Sequence, residues 1–416
     1  MTMRGWIPPL PFAAAQCAHG ASWVVLFLWA QGDLARYTIF GWTHLVALGW
    51  LTLTALAVLI HVVPAFTDVA WRAPGVARAS LIVYMIGVAI LLAGFFAYRT
   101  ILWVGGSVIA AALAVFVAVA VATLLQAKDR VERAIARALG FTFIALLLAA
   151  SLGTYFTFVV SGWSFHVAPT LPRVHAEVAM LGWLTLLTMG VSARTVGPIT
   201  GARSPRRWAH IASGILLLVG LIVLAGATAA VPEIDLSSVN ADGCAVIGGG
   251  ILVAAGILVY VYDVGLLVLS ASVSHRAPQA FMGSALLWLA LVVPAGSATM
   301  RGKIEGDALI FLGLVGWIGQ MVNAHVHHIG VRVIATMVRG DDDETRPGAL
   351  LNAPVSWIAF GCSQLAVLGS FVGFVINRDD LLSGSAIAGF AGWLAIVLNV
   401  GFAWRRAHAA PVVLAP

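Results

Sequence analysis

Charge is what this chain most lacks. Of its 416 residues only 10% are charged, while 61% are hydrophobic, and the mean hydropathy is +1.00. Ordinary soluble domains carry about 25% charge, so a water-soluble fold is excluded. Thiols are scarce too. Cys17, Cys244 and Cys362 lie far apart, in or beside apolar runs. Such cysteines behave as small core residues, and they show no metal-site spacing. Long hydrophilic stretches are also missing. The longest, around Gly340 to Pro347 with Asp341-Asp342-Asp343-Glu344, reads as a solvated loop. The net charge of +6 is spread over short loops and gathers in no stripe, which excludes nucleic acid as a partner.

What is there is hydrocarbon. Runs long enough to cross about 30 Å of bilayer core fall near 8–31, 38–63, 78–98, 101–125, 135–160, 172–196, 208–230, 243–271, 279–300, 306–337, 354–376 and 384–405. These are numbered spans 1 to 12. They predict an all-α polytopic membrane bundle, a single integral membrane domain over 1–416. The N-terminal apolar run is too long for the hydrophobic region of a signal peptide and reads as span 1.

Loop charge predicts the orientation. Lys128, Arg130, Arg133 and Arg137, then Arg203, Arg206 and Arg207, then His275-Arg276, Arg339 and Arg405-Arg406 all follow even-numbered spans. Glu233, Asp235 and Asp242 follow an odd one. By the positive-inside rule both termini are cytoplasmic, in a bacterial-type inner membrane.

One phrase recurs. Gly49-Trp50, Gly182-Trp183 and Gly316-Trp317 sit on spans 2, 6 and 10, and twelve residues after each Gly stand His61, Arg194 and His328. The spacing of four spans predicts three pseudo-symmetric four-helix arcs, with units at about 1–130, 131–271 and 272–416. A fourth pair, Gly392-Trp393 on span 12, has Trp404 at the matching offset and reads as incidental. Packing of small residues beside an aromatic explains any one pair; three at a fixed spacing, each followed by a basic side chain, point further.

Histidines inside a bilayer are costly and usually face the bundle interior. His44 and His175 lie early in spans 2 and 6, toward the outer side. His19, His61, His325, His327 and His328 lie toward the cytoplasmic side. On an α-helix His325, His328 and Arg332 share one face at i, i+3, i+7, with Asn323 and His327 on another. A lone membrane histidine is more often a hydrogen-bonded core residue than a ligand. Three within four residues are hard to bury without a ligand or a proton path. Glu177 is either a residue of the wet outer interface or, with Asp263, part of a proton relay. Asp263 is expected to pair with Arg332. Arg194 reads as a positive-inside anchor or a partner for an acidic group.

The stretch Trp42-Thr43-His44-Leu45-Val46-Ala47-Leu48-Gly49-Trp50, running on to His61-Val62-Val63-Pro64, together with His175 to Gly182, Gly190, Arg194, Thr200-Gly201 and Asn323-Ala324-His325-Val326-His327, resembles the heme-copper oxidase superfamily, its nitric oxide reductase branch and the NnrS membrane proteins. The resemblance implies cofactor ligands on spans 2, 6 and 10. Residue by residue, it makes His44 and His327 the axial pair of one non-covalent, b-type heme and His325 the ligand of a second. It makes His175 a copper ligand, and Arg194 a partner of a heme propionate. Span 7 from Ile211 to Ala230 has no histidine, and Ala179 stands where many oxidases carry Tyr; a complete three-imidazole copper site is therefore not expected. The repeat itself suggests another pairing, His61 with His328 across a heme in the cytoplasmic half.

The resulting expectation is a heme-binding membrane redox protein related to nitric oxide or oxygen chemistry. No covalent heme attachment motif, cupredoxin or cytochrome c domain is present, so electrons would come from quinol or from a cytochrome c or cupredoxin protein. Two alternatives stay open: a non-catalytic accessory or heme- or metal-handling subunit, and a proton-coupled transporter. The last predicts two-fold internal symmetry.

Overall fold

A computed structural model of the chain describes residues 9–128, 130–164, 168–230, 241–273, 276–340 and 347–409. His166, Glu233, Asp235, His275 and the acidic run at 341–344 lie outside them. Among the described residues there is no strand. Twelve helices are long and apolar enough to cross a bilayer: Leu10–Ala30, Ile39–Thr67, Pro74–Phe96, Arg99–Leu124, Ala136–Val160, Leu171–Thr200, Arg207–Ala230, Gly243–Leu269, Ala277–Met300, Gly306–Arg339, Ala353–Ile376 and Asp379–His408. The chain is an all-α membrane bundle with the expected span count.

Spans 2 and 6 run four residues beyond their expected ends, through Pro64 and Pro198. Proline removes the N–H that would bond the carbonyl four residues back. At span 2 that acceptor is the Ile60 carbonyl, and the indole N–H of Trp71, on the following connection, donates to it at 2.6 Å. The orphaned carbonyl is thus satisfied and the last turn survives. Asp68, in the left-handed region at φ 48°, then ends the helix.

Spans 2, 6 and 10 form the centre. In the most apolar stretch of spans 2 and 10, 72% and 78% of residues are buried, against 44% in span 6 and no more than 44% in any other. Each central span rests on the first span of its own unit through the glycine of the repeat. A Cβ at Gly49 would stand 3.0 Å from Ala18 of span 1, at Gly182 2.8 Å from Ala145 of span 5, and at Gly316 3.2 Å from Trp288 of span 9. Only glycine lets the axes come this close. The three equivalent contacts are the three arcs in physical form.

The arcs close into a ring, because span 12 packs on span 1. Trp393 of span 12 lies over Gly20 and donates to the Gln16 carbonyl at 2.7 Å. In return Trp23 of span 1 lies against Gly389. The fourth Gly-Trp pair therefore belongs to this seam and not to the centre.

Candidate functional site

The repeat is not α-helical. Leu45–Thr52, Val178–Thr185 and Leu312–Gly319 each wind as π-helix, the wide i→i+5 form that is rare and concentrated at functional places. At this level the spans are bonded side chain to side chain. The Trp183 indole donates to the Thr52 hydroxyl at 3.0 Å, and the Trp317 indole to Thr185 at 3.2 Å. Thr52 and Thr185 both stand two residues after the Trp of their own span; on span 10 that position is Gly319. A Cβ there would lie 2.8 Å from the Trp50 ring. Trp50 instead stacks on His19, with ring centres 3.5 Å apart and planes 5° from parallel.

Polar groups collect on both sides of this girdle. At the leading ends of the central spans, His44 and His175 come together with ring centres 6.3 Å apart and planes within 17°. His44 Nδ1 lies 2.7 Å from the Phe40 carbonyl, and His175 Nδ1 lies 3.0 Å from the Ala149 carbonyl of span 5. Glu177 faces span 7, where Thr228 donates to it at 3.3 Å.

At the trailing ends a cavity of about 330 Å³ opens between spans 2, 6 and 10, with Phe12 of span 1 and Trp404 of span 12 at its border. Its walls are almost wholly carbon. The polar side chains reaching it are His61, His325, Thr54, Thr188 and Thr195. His325 Nδ1 donates to the Met321 carbonyl at 2.7 Å, which leaves Nε2 to accept from Thr195 at 2.8 Å.

The sequence expectation placed His328, not His325, opposite His61. In the structure it is His325 that lines the cavity with His61, and His328 is absent from its lining. The cause is a second π-helical stretch, Val326–Gly330. A turn closed by i→i+5 bonds holds more than 3.6 residues, so position i+3 no longer returns to the same face. Arg332, which the expected stripe put on the face of His325 and His328, is likewise absent from the lining.

Other expectations change as well. His44 and His327 are not brought together. His44 packs against Phe95 at 5.0 Å and against His175, whereas His327 is buried beside Phe281 at 5.2 Å, its Nδ1 2.9 Å from the Asn323 carbonyl. Asp263 does not meet Arg332. It accepts from the backbone N–H of Arg206 at 2.8 Å, with that guanidinium 3.7 Å away. Arg194 is exposed. Among the described residues no three His, Cys, Asp or Glu side chains converge as metal ligands.

Two polar features went unread in the sequence. One is Thr195, which orients His325. The other is a half-buried chain in which Trp288 donates to Gln364 at 3.0 Å and Gln364 to Gln320 at 2.8 Å. Glutamines within apolar runs were the available signal for the second. No family model matches the chain, and no curated protein matches it.

Proposed function

We propose that the chain is a membrane redox protein that holds a heme in the trailing-end cavity, with His61 and His325 as the imidazoles that reach its iron. One observation carries this reading: an apolar cavity at the bundle centre receives an imidazole from each of spans 2 and 10. Its volume falls in the usual range for cofactor pockets, about 300–1,000 Å³. The residues present suit the group. His325 keeps its proton on Nδ1 through the Met321 carbonyl, so Nε2 is the basic nitrogen, as ligation requires. When Nε2 is engaged, the Thr195 hydroxyl turns to the Val191 carbonyl, 3.3 Å away. Bound heme would supply one-electron chemistry; the protein's part is to exclude water with hydrocarbon walls and to present both imidazoles to it. By loop charge the cavity lies toward the cytoplasm, and the electron donor is quinol or a small redox protein. The three-unit ring is unlike the two-fold repeats typical of secondary transporters.

Absorption spectra of protein purified from heme-replete cells test the proposal. A Soret band and a reducible alpha band are expected, both lost in His61→Ala and His325→Ala but kept in His328→Ala. Protein without heme would overturn it. A heme-handling or accessory role predicts bound heme that exchanges readily and supports no turnover with quinol.

A further inference from the structure

We propose that one face of span 1, together with Trp50 of span 2, is a binding site for internal water at the third junction of the girdle. The inference does not depend on heme in the trailing-end cavity.

Span 1 is regular α-helix over Pro9–Ala30. Gln16, His19 and Trp23 stand at i, i+3 and i+7, within roughly 60° of arc, and so share one face. Four buried polar atoms belong to this face and to the ring stacked on it: Gln16 Oε1, His19 Nδ1, Trp23 Nε1 and Trp50 Nε1. None of the four has a hydrogen-bond partner within the protein. The three ringed side chains are enclosed, with His19 3%, Trp23 4% and Trp50 1% exposed. Buried polar groups left unpaired are rare, and ordered water is the common partner where the protein supplies none.

Direct pairing is closed to the rings in contact. An indole N–H only donates, so two tryptophans cannot serve one another. Trp50 and His19 lie 3.5 Å apart with planes 5° from parallel. The N–H and lone pairs of each ring lie in that ring's own plane, and parallel planes cannot aim one at the other. A further molecule that reaches both ring edges is required.

The donor set selects that molecule. Both indoles donate and Gln16 Oε1 accepts, so the ligand must do both. Spans 1 and 2 carry no Asp, Glu, Lys or Arg. An ion would therefore stand there without a counter-charge, and the ligand is neutral. The walls keep it small. Trp393 covers Gly20, Trp23 itself lies on Gly389, and a Cβ at Gly49 would stand 3.0 Å from Ala18. Water meets all three conditions. It takes at this junction the part that Thr52 and Thr185 take at the other two, accepting the indole proton.

X-ray radiolysis of the full-length protein in detergent, read by mass spectrometry, tests the site, because it oxidises side chains beside bound water even when they are buried. Trp23, Trp50, Trp183 and Trp317 are all 4% exposed or less. Trp23 and Trp50 should oxidise several-fold faster than Trp183 and Trp317, whose N–H groups are bonded to threonine. His19→Phe keeps a ring against Trp50 but strips the acceptor. It should slow Trp50 oxidation toward the Trp183 rate and leave Trp183 and Trp317 unchanged, which reports an intact girdle. Should the variant fail to fold, the wild-type comparison decides alone. Equal rates for the four tryptophans, or fast Trp50 oxidation persisting in folded His19→Phe, would each overturn the proposal.

Discussion

Trp317 of span 10 donates its indole proton to the hydroxyl of Thr185 on span 6, 3.2 Å away, and Trp183 of span 6 does the same to Thr52 on span 2. Two of the three central interfaces thus carry the same bond. The third has none: Trp50 meets Gly319, and the Trp50 indole nitrogen has no hydrogen-bond partner.

The hydroxyls should therefore matter beyond their size. Thr52→Val and Thr185→Val each orphan a buried indole N–H, at a cost of about 1–3 kcal/mol. Thr→Ser at either position should recover most of it. Thermal unfolding in detergent reads both, and indifference to valine would show that the girdle bonds carry no weight.

Completing the girdle by substitution should fail. Gly319→Thr would match the other two spans, but its Cβ would stand 2.8 Å from the Trp50 ring. Overpacking of this kind costs about 1–3 kcal/mol. Lower thermal stability is expected for both Gly319→Thr and Gly319→Ala; a gain would mean that Trp50 moves aside freely.

Asp263 and Arg206 should behave unequally. The Asp263 side chain is 3% exposed and its short bond is to a backbone N–H, whereas the guanidinium is 40% exposed and 3.7 Å away. Exposed ion pairs contribute about 0–1 kcal/mol. Arg206→Ala should thus be nearly silent in unfolding measurements. Asp263→Ala, which strips the backbone N–H of its acceptor, should cost about 1–3 kcal/mol. Equal losses would place the weight on the ion pair instead.

Filling the cavity separates ligand binding from folding. Val191→Phe adds bulk into open space beside His325. Unfolding temperature should change little, because the added ring enters open space and not a well-packed core. The heme-to-protein ratio should fall several-fold. Unchanged heme content would place any heme elsewhere.

The spans were legible because each is set by a local property, a run of hydrocarbon side chains. The central ring was legible because Gly-Trp recurs on spans 2, 6 and 10. The face of each histidine was not. Counting by 3.6 residues assumes α-helix, and four π-helical stretches break the count; this is how His325 took the place expected for His328. Asp263 was misassigned because its partner is a main-chain N–H on the connection after span 6, which no side-chain pattern announces. The His44–His175 pair depends on two spans that neither alone predicts to be neighbours at that depth.

The seam of Trp23 on Gly389 and Trp393 on Gly20 gives the bundle a circular topology with no first helix. Cutting the polypeptide at the 126–129 connection and joining span 12 to span 1 by a flexible tether would leave every interhelical surface in being. Such a permuted chain should assemble into the same ring, because each arc is held by neighbours on both flanks and not by its order of synthesis.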